Sequence, residues 1–580
     1  MKMKRFAAIL TALLMLTFVM AACANGNDAS SSPSGNPSAN TSSNTDPNTD
    51  PSEGEGGGDE APLNLTINVA SEPQTIDPVL NSSVDGAIYS HHFFEGLIRW
   101  ADDGAGNAVL VPGQAESWDQ VTNADGTVTY TFHLRDGIKW SDGKTVVAED
   151  FAYGLRRLVT PETAADYNYI VDGIIVGATE ALEGAAAPDT IAVSATDDKT
   201  LVITTVNECP YFTELLAFPP LFPARKDIID ANGDQWTFSP ATYVTNGPYK
   251  MVEWEHNSYI LSEKNPEYYD YAKLGPATIK WALMDDANAM LTGFQNGELD
   301  FIEDMPVDEI PALKDSGKLT VVPYIGTYYA SFNTQVAPFD NAKVRRAFTL
   351  AIDRDNIVDN ITRTGQIPAS AFVPSGIGDA PGVSADFRAT GGDWYSVAAS
   401  DYEANCEEAR RLLAEAGYPN GEGFPVVEYL YNTSANHKAI AEALQADWQR
   451  ELGVTITINN QDWGVFLETR KKGDYVIARD AWIADFNDPI SFIDMFVTGG
   501  GNNNSQYKSP AFDALVAASR AATDPAERFR ILHEAEALMQ SDNILAPIYF
   551  YTQKYMLNPN VQGLYYTPLG YFLFDRCTLK

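Results

Sequence analysis

Bases are scarce in this sequence. Of 580 residues only 39 are Lys or Arg, against 78 Asp and Glu, for a formal net charge of −39. Nucleic-acid binding rests on clustered Lys and Arg that displace phosphate counterions, so that partner class is excluded. Cysteine is scarcer still: Cys23, Cys209, Cys406 and Cys577 are the four, with no CxxC pair among them. They cannot form a disulfide scaffold, and the three in the body are expected as buried or free thiols. Six histidines are too few and too scattered for a usual metal centre, and the adjacent His91 and His92 diverge on a strand or a helix. The glycine-rich dinucleotide, P-loop and serine-hydrolase signatures are absent as well. Beyond the N-terminal leader no apolar run is long enough to cross a bilayer, and no repeat of fixed period occurs. No cofactor and no metal is expected.

Two short matches look enzymatic. Ser505-Gln-Tyr-Lys508 is an SxxK, and Ser541-Asp542-Asn543 is an SDN, both elements of penicillin-recognising serine enzymes. The third element, KTG, is missing, and the SDN follows too soon for that fold. Coincidence is the reading. A surface serine hydrolase using Ser505 and Lys508 stands as the alternative from a different class.

What is present is apolar mass: 45% of residues are hydrophobic and 11% aromatic, enough for a large core. The length corresponds to about three to four domains' worth of chain. Residues 1–23 place Lys2, Lys4 and Arg5 before a short apolar run from Phe6 to Ala22, the pattern of a secretory signal. Ala21 and Ala22 lead into Cys23, which resembles a bacterial lipoprotein box with Met20 where Leu is usual. That resemblance implies lipid modification of Cys23 and anchoring at the extracytoplasmic face of the cell membrane. Residues 24–62 contain no aromatic residue, no Val, Ile, Leu or Met, and seven acids without a base. Such a segment cannot offset the entropy of ordering, and a disordered tether is expected.

The body mixes strand and helix signals. Val128, Tyr130, Phe132 and Leu134 alternate with polar residues after the turn pair Asp125-Gly126, as in a half-buried hairpin strand. Asp340 or Asn341 can cap a helix with the stripe Val344, Ala347, Phe348, Ala351 and Ile352. Ile440, Leu444, Trp448 and Leu452 mark another helix, stopped at Gly453 and followed by an alternating strand from Val454 to Ile458. A third, around Ala409–Ala416, stops at Gly417 with Pro419 beyond. The fold class is mixed α/β.

Several stretches, in order, resemble the bacterial oligopeptide-binding proteins of ABC importers (solute-binding family 5, peptide and nickel binding). They begin with Ala70-Ser-Glu-Pro-Gln-Thr-Ile-Asp77-Pro78 and Phe94-Glu-Gly-Leu97. Ala115-Glu-Ser-Trp118, Tyr130-Thr-Phe-His-Leu-Arg-Asp-Gly137, Trp140-Ser-Asp-Gly143 and Ala148-Glu-Asp-Phe151 follow. Then come Asn246-Gly-Pro-Tyr249, Asn265-Pro-Glu-Tyr268, Val344-Arg-Arg-Ala347, Ala351-Ile-Asp-Arg354 and Leu412-Leu-Ala-Glu-Ala-Gly417. Tyr431-Asn-Thr433, Trp482-Ile-Ala-Asp485-Phe-Asn-Asp-Pro489 and Tyr507-Lys-Ser-Pro-Ala-Phe512 close the series.

The resemblance implies a two-lobed, three-domain periplasmic-binding-protein-like hinge fold with mixed sheets, closing on its ligand. The first lobe would comprise 63–94, 212–325 and 551–580, a small domain 95–211 would pack on it, and 326–550 would form the second lobe. It also implies no catalysis: the protein would capture oligopeptides and pass them to ABC permease and ATPase subunits. The same fold binding another solute, such as a signalling peptide, a nickel chelate or an oligosaccharide, is the nearer alternative. A peptide of any sequence offers one ammonium, one carboxylate and a ladder of amides, so the trap needs an acid, cations and main-chain partners. By resemblance Asp485 would pair with the amino group, and Arg470, Arg479 and His437 would receive the carboxylate. Trp463 and Trp482 would wall side-chain pockets, Tyr153 would line the cleft, and Ser83, Val84 and Asp85 would supply main-chain hydrogen bonds. Each has a plainer reading: Asp485 as a solvated acid, Arg470 within a surface basic run, His437 as a helix-start residue, the tryptophans as core. A family cystine is missing, because Ile483 and Gly326 occupy its two positions, and Phe486 replaces a Tyr.

Overall fold

The computed structural model describes residues 62–380 and 386–580. The signal segment, Cys23 and the tether through residue 61 lie outside the described residues. Local chemistry explains the elements that the sequence marks. Val128–Leu134 is a strand whose Val128, Tyr130, Phe132 and Leu134 are buried, in strict alternation. Gly126 sits at φ +90 in the turn before it, where a side chain would be strained. The strand is central in an antiparallel four-stranded sheet with Ala115–Thr122, Thr200–Thr205 and Val193–Asp197.

Of the two candidate caps, Asn341 is the one used: its side chain accepts from the Lys343 N–H at 3.0 Å and starts the helix Ala342–Leu350. Val344, Ala347 and Phe348 are fully buried. Ser434 caps Ala435–Leu452, which ends at Gly453 with φ +68, and Trp448 donates its indole N–H to Phe348 O at 2.9 Å. That helix is the crossover between two parallel strands, Val427–Asn432 and Ile456–Gln461, a βαβ unit. The second strand begins two residues later than the alternation from Val454 suggests. Val454 is buried all the same. The third helix, Tyr402–Glu415, stops just before Gly417 at φ +102.

A mixed eleven-stranded sheet organises the rest. On one side lie Ile456–Gln461, Val427–Asn432 and Ile477–Ile483, and on the other Phe301–Ile302, Asn64–Ile67, Thr278–Ala282, Tyr259–Lys264 and Tyr249–Glu255. Two 13-residue strands, Thr320–Phe332 and Leu545–Leu557, run antiparallel between the two sides and join them, and the short strand Ile367–Pro368, the eleventh, pairs with the second of these. Their register shifts between Pro323 and Thr327. Separate cores flank this pair: Tyr89, Phe93 and Trp281 belong to one, Phe348, Tyr429 and Trp448 to the other. A fully buried Phe of this kind contributes about 1.5–3 kcal/mol.

Gly326 and Ile483 face each other in register across neighbouring strands. A Cβ on Gly326 would meet Ile483 Cδ1 at 2.2 Å, so the isoleucine fills the room a longer side chain would need. Cys209, Cys406 and Cys577 are free and buried, as expected. Among the described residues no helix is long and apolar enough to cross a membrane.

Candidate functional site

A cavity of about 420 Å³ is lined by side chains that the sequence scatters widely. Nine of the ten candidate residues line it: Ser83, Val84, Asp85, His437, Trp463, Arg470, Arg479, Trp482 and Asp485. Tyr153 does not, which corrects the expectation for it. It sits half-buried on the helix Ala148–Leu158, with Lys226 Nζ 5.5 Å from its ring. Its helix neighbour Arg157 instead makes a bidentate pair with Asp77, at 2.8 and 2.6 Å.

Asp485 follows the strand Ile477–Ile483 at the cavity wall. The Tyr167 hydroxyl donates to its Oδ1 at 2.9 Å, and the Ser491 hydroxyl to its Oδ2 at 3.3 Å. Ser491 Oγ also accepts the Asp485 N–H at 2.8 Å, which fixes the turn after the strand. Among the described residues no base lies within salt-bridge distance. Desolvation holds this carboxyl well above the usual range, and the charge of Asp494 adds to it, while the Tyr167 and Ser491 hydrogen bonds oppose. An acid in this state is stabilised by an incoming cation. Asp485 is half-buried, with both carboxyl oxygens accepting side-chain hydrogen bonds.

The three expected cations differ. Arg479 is buried in the strand Ile477–Ile483, its guanidinium 5.1 Å from the Tyr328 ring and 3.4 Å from the Tyr551 hydroxyl. No carboxylate among the described residues pairs with it, and its Nε has no hydrogen-bond partner. Desolvation opposes its charge, but the oxygens of Tyr551, Tyr328 and Asp480 outweigh that and keep it protonated. Arg470 is buried rather than part of a surface run, although Lys471 and Lys472 beside it are exposed. Its guanidinium is committed to Asp480 and lies 4.5 Å from the Phe466 ring. His437 is not a cation at neutral pH: burial lowers it well below the usual imidazole value, and Arg479 and Lys554 push the same way. It is both a first-turn helix residue and a cavity residue, with Nδ1 3.3 Å from the Tyr328 hydroxyl.

Ser83 to Asp85 present their main chain at a helix start. Ser83 Oγ accepts from Gly86 N and caps Val84–Phe93, which leaves the first-turn amides of Val84 and Asp85 without an acceptor inside the helix. Trp482 is buried, its indole N–H donating to Ser491 O at 2.6 Å. Trp463 is half-buried at the start of the helix Trp463–Lys471.

Sequence reasoning missed several lining groups: Tyr167, Asp166, Asp480, Glu303, Asp304 and Lys554. Two contacts join distant segments at this cavity, Lys471 to Asp166 at 2.5 Å and Gln74 to Glu468 at 2.8 Å. The run Asp300-Phe-Ile-Glu303-Asp304 carries a visible signal, acids beside a short apolar strand, but nothing in the sequence places it in a cavity. The serine-hydrolase alternative loses its geometry here. Ser505 is fully buried with its hydroxyl 3.0 Å from Ser331 Oγ and 3.2 Å from Ile544 O, and Lys508 is exposed.

Comparison with known proteins decides the family. Residues 109–504 match the family described as bacterial extracellular solute-binding proteins, family 5 Middle. The oligopeptide-binding protein OppA of Bacillus subtilis is 34% identical over 100% of both chains. This chain belongs to that family. Its members are solute-binding proteins, not enzymes. The Haemophilus influenzae OppA complex with the peptide RPPGFSPFR superposes with a TM-score of 0.83 at 30% identity, covering 90% of this chain and 99% of that one. The Escherichia coli murein tripeptide-binding protein MppA gives 0.81 at 29% identity, over 90% and 99% of the two chains. For MppA in its unliganded open form, 30% identical over 90% and 98%, the score falls to 0.57. This family 5 protein thus superposes less well on that open form than on the other MppA structure. The two-lobed hinge fold expected for the family is the fold found.

Proposed function

We propose that this protein is the lipid-anchored, extracytoplasmic binding subunit of an ABC importer, capturing oligopeptides and delivering them to a permease. One observation carries the reading: a single cavity holds an acid without a base, Asp485, and a buried base without an acid, Arg479. A zwitterionic ligand with a free ammonium and a free carboxylate matches both, and a peptide is such a ligand. Its names apart, the likeness to OppA of B. subtilis over the full length of both chains supports it. Asp485 takes the ammonium, Arg479 the carboxylate, and Arg470 acts through Asp480 to hold the wall. His437 offers a neutral hydrogen-bonding group. The tryptophans Trp463 and Trp482 pack against side chains.

In this reading the lobes are 63–94 with 212–325 and 551–580, then 95–211 packed on them, and 326–550 opposite. The sheet supports this division, since the two long strands Thr320–Phe332 and Leu545–Leu557 are the links between its sides. They would bend as the cavity opens. Mass spectrometry of ligand released from freshly purified protein tests the function. Recovered peptides of mixed sequence are the expected result, and calorimetry with free, N-acetylated and C-amidated alanine peptides then assigns the ends. Equal affinity for all three forms would sink the proposal.

A further inference from the structure

Most charged groups lining the cavity are matched. Arg470 has Asp480, and Lys471 has Asp166. One stretch is out of balance. Asp85, Glu303 and Asp304 line it with one base, Lys554. Lys554 Nζ lies 3.4 Å from Asp304 Oδ1, and Asn436 Nδ2 donates to that same oxygen at 2.6 Å, so Asp304 is occupied. Glu303 Oε2 accepts from the neutral amide of Gln553 at 2.9 Å. Asp85 is only 8% exposed, and its Oδ2 has no hydrogen-bond partner. One helical turn further on, the Tyr89 hydroxyl is fully buried and unpartnered too.

Buried carboxylates near one another repel unless a cation joins them. Burial pushes Glu303 up to about 8; Lys554 opposes this, and the charges of Asp85 and Asp304 reinforce it. No group of three or more His, Cys, Asp or Glu among the described residues is arranged to hold a metal ion, so an organic cation fits better. Trp463 stands beside Asp85, where its indole N–H favours the ionised carboxyl, and its ring face gives apolar wall for a methylene stem.

We infer that Asp85 and Glu303 form an acidic sub-pocket of the main cavity that takes the cationic side chain, lysine or arginine, of a bound peptide. This rests on the peptide reading above. It makes the protein selective among peptides, where Asp485 and Arg479 alone recognise only the ends. The side-chain cation gains charge-assisted hydrogen bonds to Asp85 Oδ2 and Glu303, and its charge offsets the excess of acid that Lys554 leaves unbalanced.

The test is calorimetry with tetra-alanine and with tetra-alanine carrying one lysine, one arginine or one norleucine at each position in turn. At one position lysine and arginine are expected to bind at least about tenfold tighter than norleucine, the size of one hydrogen bond to a charged group. That ratio should fall toward one in Asp85→Asn and in Glu303→Gln, each checked for folding by its thermal transition. Because the readout is a ratio within each variant, a general loss of affinity does not obscure it. A ratio near one at every position of the wild type, or one that survives in both variants, overturns the sub-pocket while leaving peptide binding intact. Failure of every tetrapeptide to bind the wild type overturns the peptide reading itself, and the sub-pocket with it.

Discussion

Tyr167 donates its hydroxyl hydrogen to Asp485 Oδ1 at 2.9 Å, across 318 positions of sequence. The phenol lies among buried aromatics, with Phe218 at 4.8 Å and Trp482 at 6.0 Å between ring centroids, so the carboxylate is aimed by packing as well as by hydrogen bonding. An acid held this way is ready for an ammonium before one arrives. Pre-placement of this kind lowers the ordering cost of binding.

Asp485→Ala should weaken free-amine peptides by about 3–5 kcal/mol, because it leaves an ammonium buried without its partner. Tyr167→Phe should cost about 1 kcal/mol through one lost hydrogen bond. N-acetylated peptides should lose little in either variant. Calorimetry with paired free and acetylated peptides reads the difference, and an unchanged affinity in Asp485→Ala would remove it from the ammonium site.

Binding should release protons. The Asp485 carboxyl is raised in the free protein and would fall once an ammonium pairs with it. Affinity should therefore drop as pH falls through the raised value, and heats of binding should vary with the ionisation enthalpy of the buffer. Heats that do not depend on the buffer would contradict this.

The two arginines should separate cleanly. Arg470→Met leaves Asp480 buried without its cation and should destabilise the fold by about 3–5 kcal/mol. Arg479→Met breaks no ion pair, so its thermal transition should move less, while peptides with a free carboxylate lose affinity relative to their amides. Matching losses in stability for the two variants would refute the distinction.

Glu303 gives a stability signature of its own. Its folded value of about 8 lies above the ordinary 4.5. The stability this contributes is complete below about 4.5 and is lost as pH rises through about 8. Glu303→Gln should therefore flatten the decline in Tm between those limits in ligand-free protein. Equal slopes for variant and wild type would show that the carboxyl is not raised.

Burial pushes the Cys406 thiol up to about 11 and the Cys209 thiol up to about 12. Native protein should react with iodoacetamide at neither, nor at Cys577, until unfolded. Peptide mapping after labelling with and without denaturant checks this.

What was legible in the sequence was local or carried by resemblance. Asn341, Gly417 and Gly453 mark helix ends because a cap acts within three residues, and Val128 to Leu134 alternate because a pleat has period two. Asp485 is marked by its motif, and it lines the cavity. The state of each charge was not legible. Whether Arg470 or Arg479 is unpaired depends on Asp480 and Tyr551, and whether His437 is charged depends on burial beside Arg479 and Lys554. Tyr153 lies outside the cavity for a related reason: a motif fixes which residue follows which, not where a ring comes to rest.

The strand Leu545–Leu557 lies between Thr320–Phe332 and Phe301–Ile302, and the residues after it bring Phe572 and Phe574 against Phe301. The earliest strand of the body, Asn64–Ile67, thus has a finished sheet and core only once the segment from Leu545 to the C-terminus is in place. The half built on Val427–Asn432 and Ile456–Gln461 also needs the strand Leu545–Leu557, but only its first residues, Ala546, Ile548 and Tyr549, and so is complete earlier in the chain. The half whose strand comes first in the body is therefore the last whose sheet and core are complete along the chain.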